Sequence, residues 1–429
     1  MKNEMEYNQF QNLDNFKQLF NEKKKIGHFN VKEIPFSELD QWHFNIGFTK
    51  HSLQHDSGKF FRIDGVRVKT NFGSLAQWDQ PIINQQEIGI LGIITKIFNG
   101  TRYFLMQLKN EPGNINLLQL SPTVQATKSN FSQVHKGKLP AYLKYFIDRS
   151  KSNIIIDQLQ SEQGGRFLRK RNRNMIIEVE NDIEVLDSFF WLTLTDIKQL
   201  LQIDNFVNMD ARSVISTIPI TDKLDNGHYT KKDLMSWYID QKVKYELEIE
   251  KIPLSRLRNW KIEEGSIYQN DRFFSIIGVK VEIGNREVAS WSQPMIKDSN
   301  IGLIGFIKTK IDGIYHFLVQ TKVMPGNIDI IDLSPTISVS NYKYFLDKEI
   351  KPKFFDYFMG NSPAKILYDT LQSEEGGRFY HFQNRNMIIE IEDKLDIPEN
   401  YTWLTLNQIM EFMPRGMFNV EARNLISSL

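Results

Sequence analysis

The chain of 429 residues contains no cysteine, which excludes disulfides and cysteine nucleophiles, and its formal charge of +1 argues against a nucleic-acid binder with a strongly basic face. A hydrophobic content of 41% is that of an ordinary globular protein with two or three domains. The polar N-terminus lacks the apolar core of a signal peptide and no apolar run could span a bilayer, so we expect a cytoplasmic protein with no membrane partner.

Nearly every distinctive motif occurs twice, at a spacing of about 210 residues that indicates a duplicated domain. The first copies are "IPFSELDQW" from Ile34, "WDQP" from Trp78, "EPGN" from Glu111, "LSPT" from Leu120, "WLTL" from Trp191 and "NMDAR" from Asn208. The second copies are "IPLSRLRNW" from Ile252, "WSQP" from Trp291, "MPGN" from Met324, "LSPT" from Leu333, "WLTL" from Trp403 and "NVEAR" from Asn419. The longest pair, "LQSEQGGRFLRKRNRNMIIE" from Leu159 and "LQSEEGGRFYHFQNRNMIIE" from Leu371, is identical at 15 of 20 positions.

The repeat predicts the domain organisation of the chain. We expect an N-terminal extension at residues 1–30, a first domain at 31–215, a linker and connecting helix at 216–248, and a second domain at 249–429. The connecting segment includes a helix-like stretch from Asp233 to Glu250.

Within each half the local patterns indicate both strands and helices. Residues 60–70 and 273–283 alternate between apolar and polar side chains, as strands do. Asn-Gly at position 99 and Asp-Gly at position 312 predict hairpins, because type I′ turns need positive φ at both central residues. A helix should follow each "WLTL", where the spacing of a capping box is found in the pairs Thr193 and Asp196, and Thr405 and Gln408. The predicted fold class is α+β, present in two tandem homologous domains.

The Gly-Gly-Arg-Phe loop admits three interpretations: a nucleic-acid contact, a phosphate clamp or a structural turn. Between the copies "LRKR" becomes "YHFQ", whereas Arg166 and Arg173 are retained as Arg378 and Arg385. A nucleic-acid patch should preserve total charge rather than individual arginines. Two retained arginines beside glycines suit a phosphate or pyrophosphate, which a guanidinium can bind in bidentate fashion. The glycines can equally serve a structural turn.

Two further repeated segments are candidates for ligand contact. "LSPTVQATKSNF" from Leu120 is rich in hydroxyl and amide groups, and is either a binding loop for a polar ligand or a self-capped surface loop. Trp78 and Trp291 could each stack on a base or sugar ring, or could belong to the core.

His51 and His55 lie four residues apart in "HSLQHDSGKFF". Metal binding would need both on one helical face, but the segment has a Ser-Gly turn and the second half has Glu264 and Tyr268 there. A role for one histidine as general acid or base is favoured over a metal site. The chain also lacks GxGxxG, GxxxxGK[ST], HExxH and GxSxG motifs, which argues against nicotinamide, P-loop, zincin and serine-hydrolase chemistry.

With these motifs present twice, the sequence resembles the NDP-hexose 2,3-dehydratases over nearly its whole length. The resemblance implies a tandem duplication of a Nudix-like fold, a homodimer, and a thymidine-nucleotide pocket in each half. It implies elimination of water across carbons 2 and 3 of dTDP-4-keto-6-deoxyglucose in deoxysugar biosynthesis. The labile diketo product would pass to a 3-ketoreductase. The glutamate-rich magnesium box of Nudix hydrolases is missing, so we expect no metal and no other cofactor.

The resemblance and the repeat together suggest a set of site residues. Proton transfer and charge stabilisation are assigned to Glu162, His55, Arg166 and Lys128. The first nucleotide and substrate pocket is assigned Trp78, Gln80, Ser121, Thr123, Gln125, Thr127, Ser129, Asn130, Gly164, Gly165, Phe167, Arg171, Asn172 and Arg173. A second nucleotide pocket is assigned Trp291, Gln293, Ser334, Thr336, Glu374, Gly376, Gly377, Arg378, Phe379, Asn384 and Arg385.

The two halves are not expected to be equivalent. The second half has "TISVSNY" where the first has "TVQATKSNF", and so lacks a segment containing Gln125, Thr127 and Lys128. We therefore expect chemistry in the first half and a remnant or regulatory pocket in the second. The alternative is a nucleotide-sugar-binding or sensor protein without turnover.

Overall fold

A computed structural model describes residues 13–26, 29–46, 50–128, 139–148, 150–220, 227–269, 273–283 and 290–429. The helices are α1 (Leu13–Ile26), α2 (Lys144–Ile147), α3 (Leu194–Leu200), α4 (Met209–Ile215), α5 (Lys231–Lys244), α6 (Phe355–Phe358), α7 (Leu406–Phe412) and α8 (Val420–Ile426). Short 3-10 helices occupy Phe36–Glu38, Leu254–Arg256, Lys343–Phe345 and Met413–Arg415.

The described strands follow the same order in both halves, with one additional short strand, Phe379–Tyr380, in the second. The first half contains β1 (Phe29–Ile34), β2 (Trp42–Ile46), β3 (Lys50–His55), β4 (Arg62–Thr70), β5 (Gln77–Asn84), β6 (Gly89–Phe98), β7 (Thr101–Asn110), β8 (Leu118–Ser121), β9 (Val124–Ala126), β10 (Asn153–Ser161), β11 (Arg171–Glu178) and β12 (Phe189–Thr193). The second half contains β13 (Leu247–Ile252), β14 (Lys261–Ile262), β15 (Ser266–Tyr268), β16 (Ser275–Ile283), β17 (Ser290–Lys297), β18 (Ile301–Ile311), β19 (Ile314–Lys322), β20 (Asp332–Pro335), β21 (Ile337–Val339), β22 (Lys365–Ser373), β23 (Phe379–Tyr380), β24 (Gln383–Glu390) and β25 (Tyr401–Thr405).

Each half has one large sheet with helices on both faces. The strand order is β10-β11-β6-β7-β12 in the first half and β22-β24-β18-β19-β25 in the second. The pairs β11 with β6 and β24 with β18 are parallel, and the other pairs in these sheets are antiparallel. In the first half, Phe16 and Phe20 of α1 pack with α3 and α4 on one face, and Phe146 of α2 packs on the other. The predicted combination of helices and sheets in two repeated regions is confirmed.

The first strand of each half belongs to the small sheet of the other half. Strand β1 pairs with β16, and β13 pairs with β4, both antiparallel. At each crossing a glycine faces the incoming strand, with Gly278 opposite Ile34 and Gly65 opposite Ile252. A Cβ atom at Gly278 would lie 2.7 Å from the carbonyl oxygen of Ile34, so only glycine permits this close approach.

The two small sheets share one hydrophobic core. It joins Trp42 and Phe61 of the first half to Trp260 and Phe274 of the second, and all four side chains are buried. The two halves are therefore connected by paired strands and by a common apolar interior.

Most of the local predictions are confirmed. Asn99 and Asp312 have positive φ values of 49° and 51°, and both hairpins form. Both capping boxes, at Thr193 and Thr405, are present. The predicted helix from Asp233 to Glu250 was wrong in its second part, because the helix ends at Lys244. The alternating sequence "LEIEKI" that follows forms β13 and pairs with β4.

We expect the strand exchange to depend on Gly278. The variant Gly278→Ala should lower the free energy of unfolding by about 1–3 kcal/mol, because the added methyl group overpacks against the backbone of β1. Gly265→Ala is the matched control, since a Cβ atom there meets nothing within 4 Å, and its change should stay within about 0.5 kcal/mol. Urea unfolding measures both, and equal stability of the two variants would contradict the role assigned to the crossing.

Candidate active site

The Gly-Gly-Arg-Phe loop of each half docks on the Pro-Gly-Asn turn of the other half. The amide of Gly113 donates to the carbonyl of Gly376 at 2.7 Å, and the amide of Gly326 donates to the carbonyl of Gly164 at 2.6 Å. A Cβ atom at Gly113 would lie only 1.6 Å from the carbonyl oxygen of Phe379. The repeated glycines therefore serve a close contact between backbones, and the loops lie at the boundary between the halves.

The Trp-x-Gln-Pro motif fixes this loop within its own half. The indole Nε1 of Trp78 donates to Gln80 at 2.9 Å, and Gln80 Nε2 donates to the carbonyl of Gly165 at 2.9 Å. Trp291 and Gln293 repeat the arrangement at Gly377. The motif is thus a structural support for the loop, although Trp78 also borders a large cleft.

The loop arginines extend into the opposite half. Arg166 stacks on Phe274, with its guanidinium carbon 3.9 Å from the ring centroid, and lies 3.8 Å from Asp298. Arg378 stacks on Phe61 at 4.1 Å and donates to Gln85 at 3.2 Å. Each arginine therefore reaches a pocket that belongs mainly to the other half.

The first pocket is a cavity of about 220 Å³ on the large sheet of the N-terminal half. The polar and charged side chains that line it include those of Lys109, Glu111, Gln125, Thr127, Glu162, Lys170, Asn172, Asp210, Glu375 and Arg378. Eight of these side chains come from the first half, and Glu375 and Arg378 come from the loop of the second half. The pocket is complete only when both halves are present.

Gln125 is the centre of a hydrogen-bond network on one side of the first pocket. Its Oε1 accepts from Lys109 Nζ at 2.6 Å, and its Nε2 donates to Glu111 at 3.2 Å and to Asp210. Burial, followed by the charge of Glu111, raises the pKa of Asp210. The network holds two carboxyl groups and one ammonium group in a fixed arrangement.

Glu162 also lines the first pocket and is 5% exposed. Its Oε1 accepts from Asn172 Nδ2 at 2.7 Å, whereas Oε2 has no hydrogen-bond partner among the described residues. Burial, followed by the charge of Asp210, raises the pKa of Glu162. A buried carboxyl group with a raised pKa that lines a cavity is suited to proton transfer.

Lys170 supplies a second buried cation, with 5% of its surface exposed. Its Nζ donates to the carbonyl of Glu87, and burial lowers its pKa. With Lys109 and Arg378 it gives the first pocket three cationic groups, which can stabilise an oxyanion or bind an anionic ligand.

The second pocket is the repeat counterpart of the first and has a volume of about 400 Å³. Glu374 and Asn384 occupy the positions of Glu162 and Asn172, and Asn384 donates to Glu374. Among the positions that differ, the second pocket has Met324, Ser338, Phe382 and Gln163 where the first has Glu111, Gln125, Lys170 and Glu375. The second pocket therefore has fewer groups that can transfer a proton.

An aromatic cleft of about 890 Å³ adjoins the second pocket and shares Gln80, Arg166 and Ser340 with it. Trp78, Trp260 and Phe274 line the cleft, together with Arg258. It offers flat apolar surfaces beside arginines. In the sequence, the repeat counterparts of Phe72, Ser74 and Leu75 of this cleft fall within residues 284–289, which lie outside the described part of the chain.

Several predicted site residues lie elsewhere. Arg166 lines the second pocket rather than the pocket of Glu162, because its loop crosses between the halves. Arg173 and Arg385 form bidentate ion pairs with Asp157 and Asp369 on the neighbouring strand. Their retention in both copies is explained by this pairing rather than by a phosphate.

The threonine hydroxyl groups of the "LSPT" segments form hydrogen bonds within the sheets. Thr123 Oγ1 accepts from the amide of Ile94 at 2.9 Å, and Thr336 accepts in the same way from Ile307. Ser121 accepts from Asn208, and Ser334 is fully buried. Gln125 and Thr127, by contrast, line the first pocket.

The remaining predicted residues are distributed as follows. His55 Nδ1 contacts Ser57 Oγ at 2.9 Å, its ring packs on Trp42 and Phe60, and it is outside the walls of the three cavities described above. Lys128 is exposed, and Arg171 begins β11 away from these walls. Ser129 and Asn130 lie outside the described residues. Phe167 and Phe379 line the first and second pockets respectively.

Sequence reasoning missed the side chains that the other motifs deliver to the first pocket. Glu111, Asp210 and Lys170 lie in or next to repeated motifs, but only the folded chain shows that they surround Glu162. A comparison of the two copies, in which Glu111 aligns with Met324, was the available signal. Within the described residues, no group of three or more His, Asp and Glu side chains could hold a metal ion, and no helix is long and apolar enough to cross a membrane.

Comparison with known proteins identifies the class of enzyme. The family model for NDP-hexose 2,3-dehydratase matches residues 13–218 and 231–429. The chain therefore belongs to the NDP-hexose 2,3-dehydratase family, and the family predicted from the repeated motifs is confirmed.

Three curated relatives are named dTDP-4-dehydro-6-deoxy-α-D-glucopyranose 2,3-dehydratase. The protein of Saccharopolyspora spinosa is 40% identical over 94% of this chain and 88% of its own length. That of Amycolatopsis orientalis is 39% identical, over 95% and 88%. That of Streptomyces violaceoruber is 38% identical, over 95% of both chains.

The buried carboxyl groups predict a characteristic dependence of stability on pH. Burial raises the pKa of Glu374, from 4.5 to about 7, and that of Asp332, from 3.8 to about 7. Between the ordinary and raised values the folded protein binds more protons than the unfolded chain. The associated stability is therefore full below the ordinary carboxyl values and is lost as pH rises through about 7.

We expect the melting temperature to fall from pH 5 to pH 8, and to fall less steeply in Glu374→Gln. Each retained proton changes the free energy of unfolding by about 1.4 kcal/mol per pH unit. Thermal melts across this range measure the slope. A slope unaltered by Glu374→Gln would show that this carboxyl group is not protonated in the folded protein.

Proposed function

We propose that this chain removes water across carbons 2 and 3 of dTDP-4-keto-6-deoxyglucose, giving a 3,4-diketo-2,6-dideoxyhexose nucleotide for deoxysugar biosynthesis. The family and the names of the relatives support the reaction class and the substrate. The observation that carries the proposal is the first pocket, where the buried Glu162 lines a cavity together with further carboxyl groups and three cations.

The groups of the first pocket match the requirements of this elimination. The 4-keto group acidifies the proton on carbon 3, and a carboxylate such as Glu162 can remove it. The resulting enediolate carries negative charge, which Lys109, Lys170 and Arg378 are placed to stabilise. The hydroxyl group on carbon 2 then leaves as water, so neither redox chemistry nor a metal is required.

The N-terminal half is the proposed catalytic half. Gln125 and Thr127 line the first pocket, and Gln125, which is replaced by Ser338 in the second half, organises Lys109 and Asp210. The second pocket retains Glu374 but has Met324 and Phe382 where the first has Glu111 and Lys170. We assign it a regulatory or vestigial binding role.

The aromatic cleft is the proposed nucleotide site of the second pocket. The thymine base would stack on Trp78, and the diphosphate would bind Arg166, which lines both the cleft and the second pocket. In the first pocket Arg378 would bind the diphosphate. Of the two repeated arginine pairs for which phosphate binding was predicted, only Arg166 and Arg378 keep that role in this proposal.

Other features implied by the family resemblance remain proposals. They are a Nudix-like fold for each half, a homodimer, a cytoplasmic location and transfer of the labile product to a 3-ketoreductase. The layered arrangement of helices on both faces of each large sheet supports the fold assignment.

The first functional test compares two corresponding glutamates. In an assay with dTDP-4-keto-6-deoxyglucose, a 3-ketoreductase and NADPH, Glu162→Gln should lose most turnover, by roughly 100-fold or more, because the base is lost. Glu374→Gln should keep most turnover. Thermal melts verify that both variants are folded.

The same assay separates an enzyme from a binding protein. A wild-type chain that binds the substrate but gives no product would support a sensor. Loss of turnover in Glu374→Gln alone would move the catalytic pocket to the second half.

The second functional test concerns nucleotide binding. Calorimetry in EDTA should show up to two dTDP molecules per chain, because arginines rather than a metal hold the diphosphate. Arg166→Ala and Arg378→Ala should each weaken a different site, and only Arg378→Ala should also reduce turnover. Binding that disappears on chelation, or the same site lost in both variants, would contradict the assignment.

A further inference from the structure

Consecutive side chains of each Gly-Gly-Arg-Phe loop face different pockets. In the first half, Glu162 lines the first pocket and Gln163 lines the second. In the second half, Glu374 lines the second pocket and Glu375 lines the first. Each pocket therefore receives one glutamate from its own half and the next residue of the opposite loop.

The residues that the two loops contribute to the opposite pockets differ only in the chemical group at the end of the side chain. Gln163 and Glu375 occupy equivalent positions and have side chains of equal length, but one ends in an amide and the other in a carboxyl group. Gln163 donates its amide to Glu374 and to the sulfur of Met209, and it cannot release a proton at ordinary pH. The first pocket alone thus receives a second proton-transfer group from the opposite loop.

We propose that Glu375 is the general acid of the first pocket, and that it protonates the hydroxyl group leaving carbon 2 of the sugar. This inference rests on the proposed function of the first pocket. Glu162 and Glu375 border the same cavity of about 220 Å³, so a sugar carbon held there lies close to both carboxyl groups. The active site would then combine a base from one half with an acid from the other.

The surroundings of Glu375 favour its protonated form. Burial is the main cause that raises its pKa, and the neighbouring carboxyl groups add to the effect. The charged groups that face it are Arg378, Lys170, Asp210, Glu111 and Glu162. Burial raises the pKa of Glu162 as well, but the hydrogen bond from the amide of Asn172 acts in the opposite direction, toward the charged form that a base requires.

The other carboxyl groups of the first pocket are less suitable as the acid. Asp210 accepts from Gln125, and the second pocket keeps a carboxyl group, Glu421, at the same position. Glu111 accepts from both Lys109 and Gln125, which holds its carboxylate in the network. Glu375 is the acidic side chain that distinguishes the two pockets without being part of that network.

The proton balance of the cycle closes with these two groups. Glu162 takes the proton from carbon 3, and the electron pair forms the enediolate. The carbon 4 carbonyl then re-forms, a double bond forms between carbons 2 and 3, and the carbon 2 oxygen leaves with the proton of Glu375 as water. The enol hydroxyl on carbon 3 returns its proton to Glu375, and Glu162 delivers one to carbon 2, which gives the diketone.

The test separates proton abstraction from hydroxyl loss. Glu375→Gln gives this position the same side chain as its counterpart Gln163 in the first half. We therefore expect normal folding and dTDP affinity within about twofold. We expect kcat to be at least 100-fold lower in the reductase-coupled assay. In D₂O without reductase, this variant should still exchange the proton on carbon 3 of the substrate. Glu162→Gln should lose both exchange and turnover. Mass spectrometry and thermal melts supply the readouts.

Two companion variants make the test specific. Glu375→Asp, which keeps a carboxyl group, should recover part of the turnover. The double variant Glu375→Gln with Gln163→Glu has the original number of carboxyl groups, but the new one lies in the second pocket. It should not recover turnover.

The outcomes are distinguishable from failure of the proposed function. If the wild-type chain gives no turnover, the proposed function fails. If the wild-type chain turns over and Glu375→Gln does so too, or if that variant also loses exchange at carbon 3, the assignment of Glu375 as the acid is overturned.

Discussion

The contact between backbones at the boundary of the two halves determines how the site is built. Gly113 and Gly326 lie so close to the opposite Gly-Gly-Arg-Phe loop that a single methyl group would collide with a carbonyl oxygen. Because these two contacts and the exchanged strands β1 and β13 fix the relative position of the halves, each pocket has walls from both. The duplication therefore produced one cooperative unit, whose pockets cannot form in an isolated half.

A shared boundary allows two pockets of common origin to differ in chemistry. Glu162 and Glu374 keep the same asparagine partner, which preserves the common framework. The differences between the two pockets lie around these glutamates. At the positions of Lys170 and Glu375 in the first pocket, the second pocket has an apolar ring and an amide. Buried charges are costly unless a function or a partner requires them, so their concentration in one pocket indicates where the chemistry is retained.

Local patterns were sufficient to predict the parts of the fold that depend on neighbouring residues. The hairpin at Asn99, the capping box at Thr193 and the duplicated motifs follow from turn and cap chemistry, and Glu162 and Gln125 follow from the repeat itself. The crossing of the arginines could not be predicted, because it depends on packing between residues about 200 positions apart. For the same reason Arg173 was assigned to a ligand although its partner is Asp157.

The most direct test of the account is a crystal structure with a dTDP-sugar that lacks the carbon 2 hydroxyl group and cannot undergo elimination. The account predicts the sugar in the first pocket, with carbons 2 and 3 between Glu162 and Glu375 and the nearest carboxyl oxygens within about 3.5 Å. The diphosphate should contact Arg378 from the second half. A sugar ring bound beside Glu374 alone, or one held in the first pocket without any contact to the loop of the second half, would contradict it.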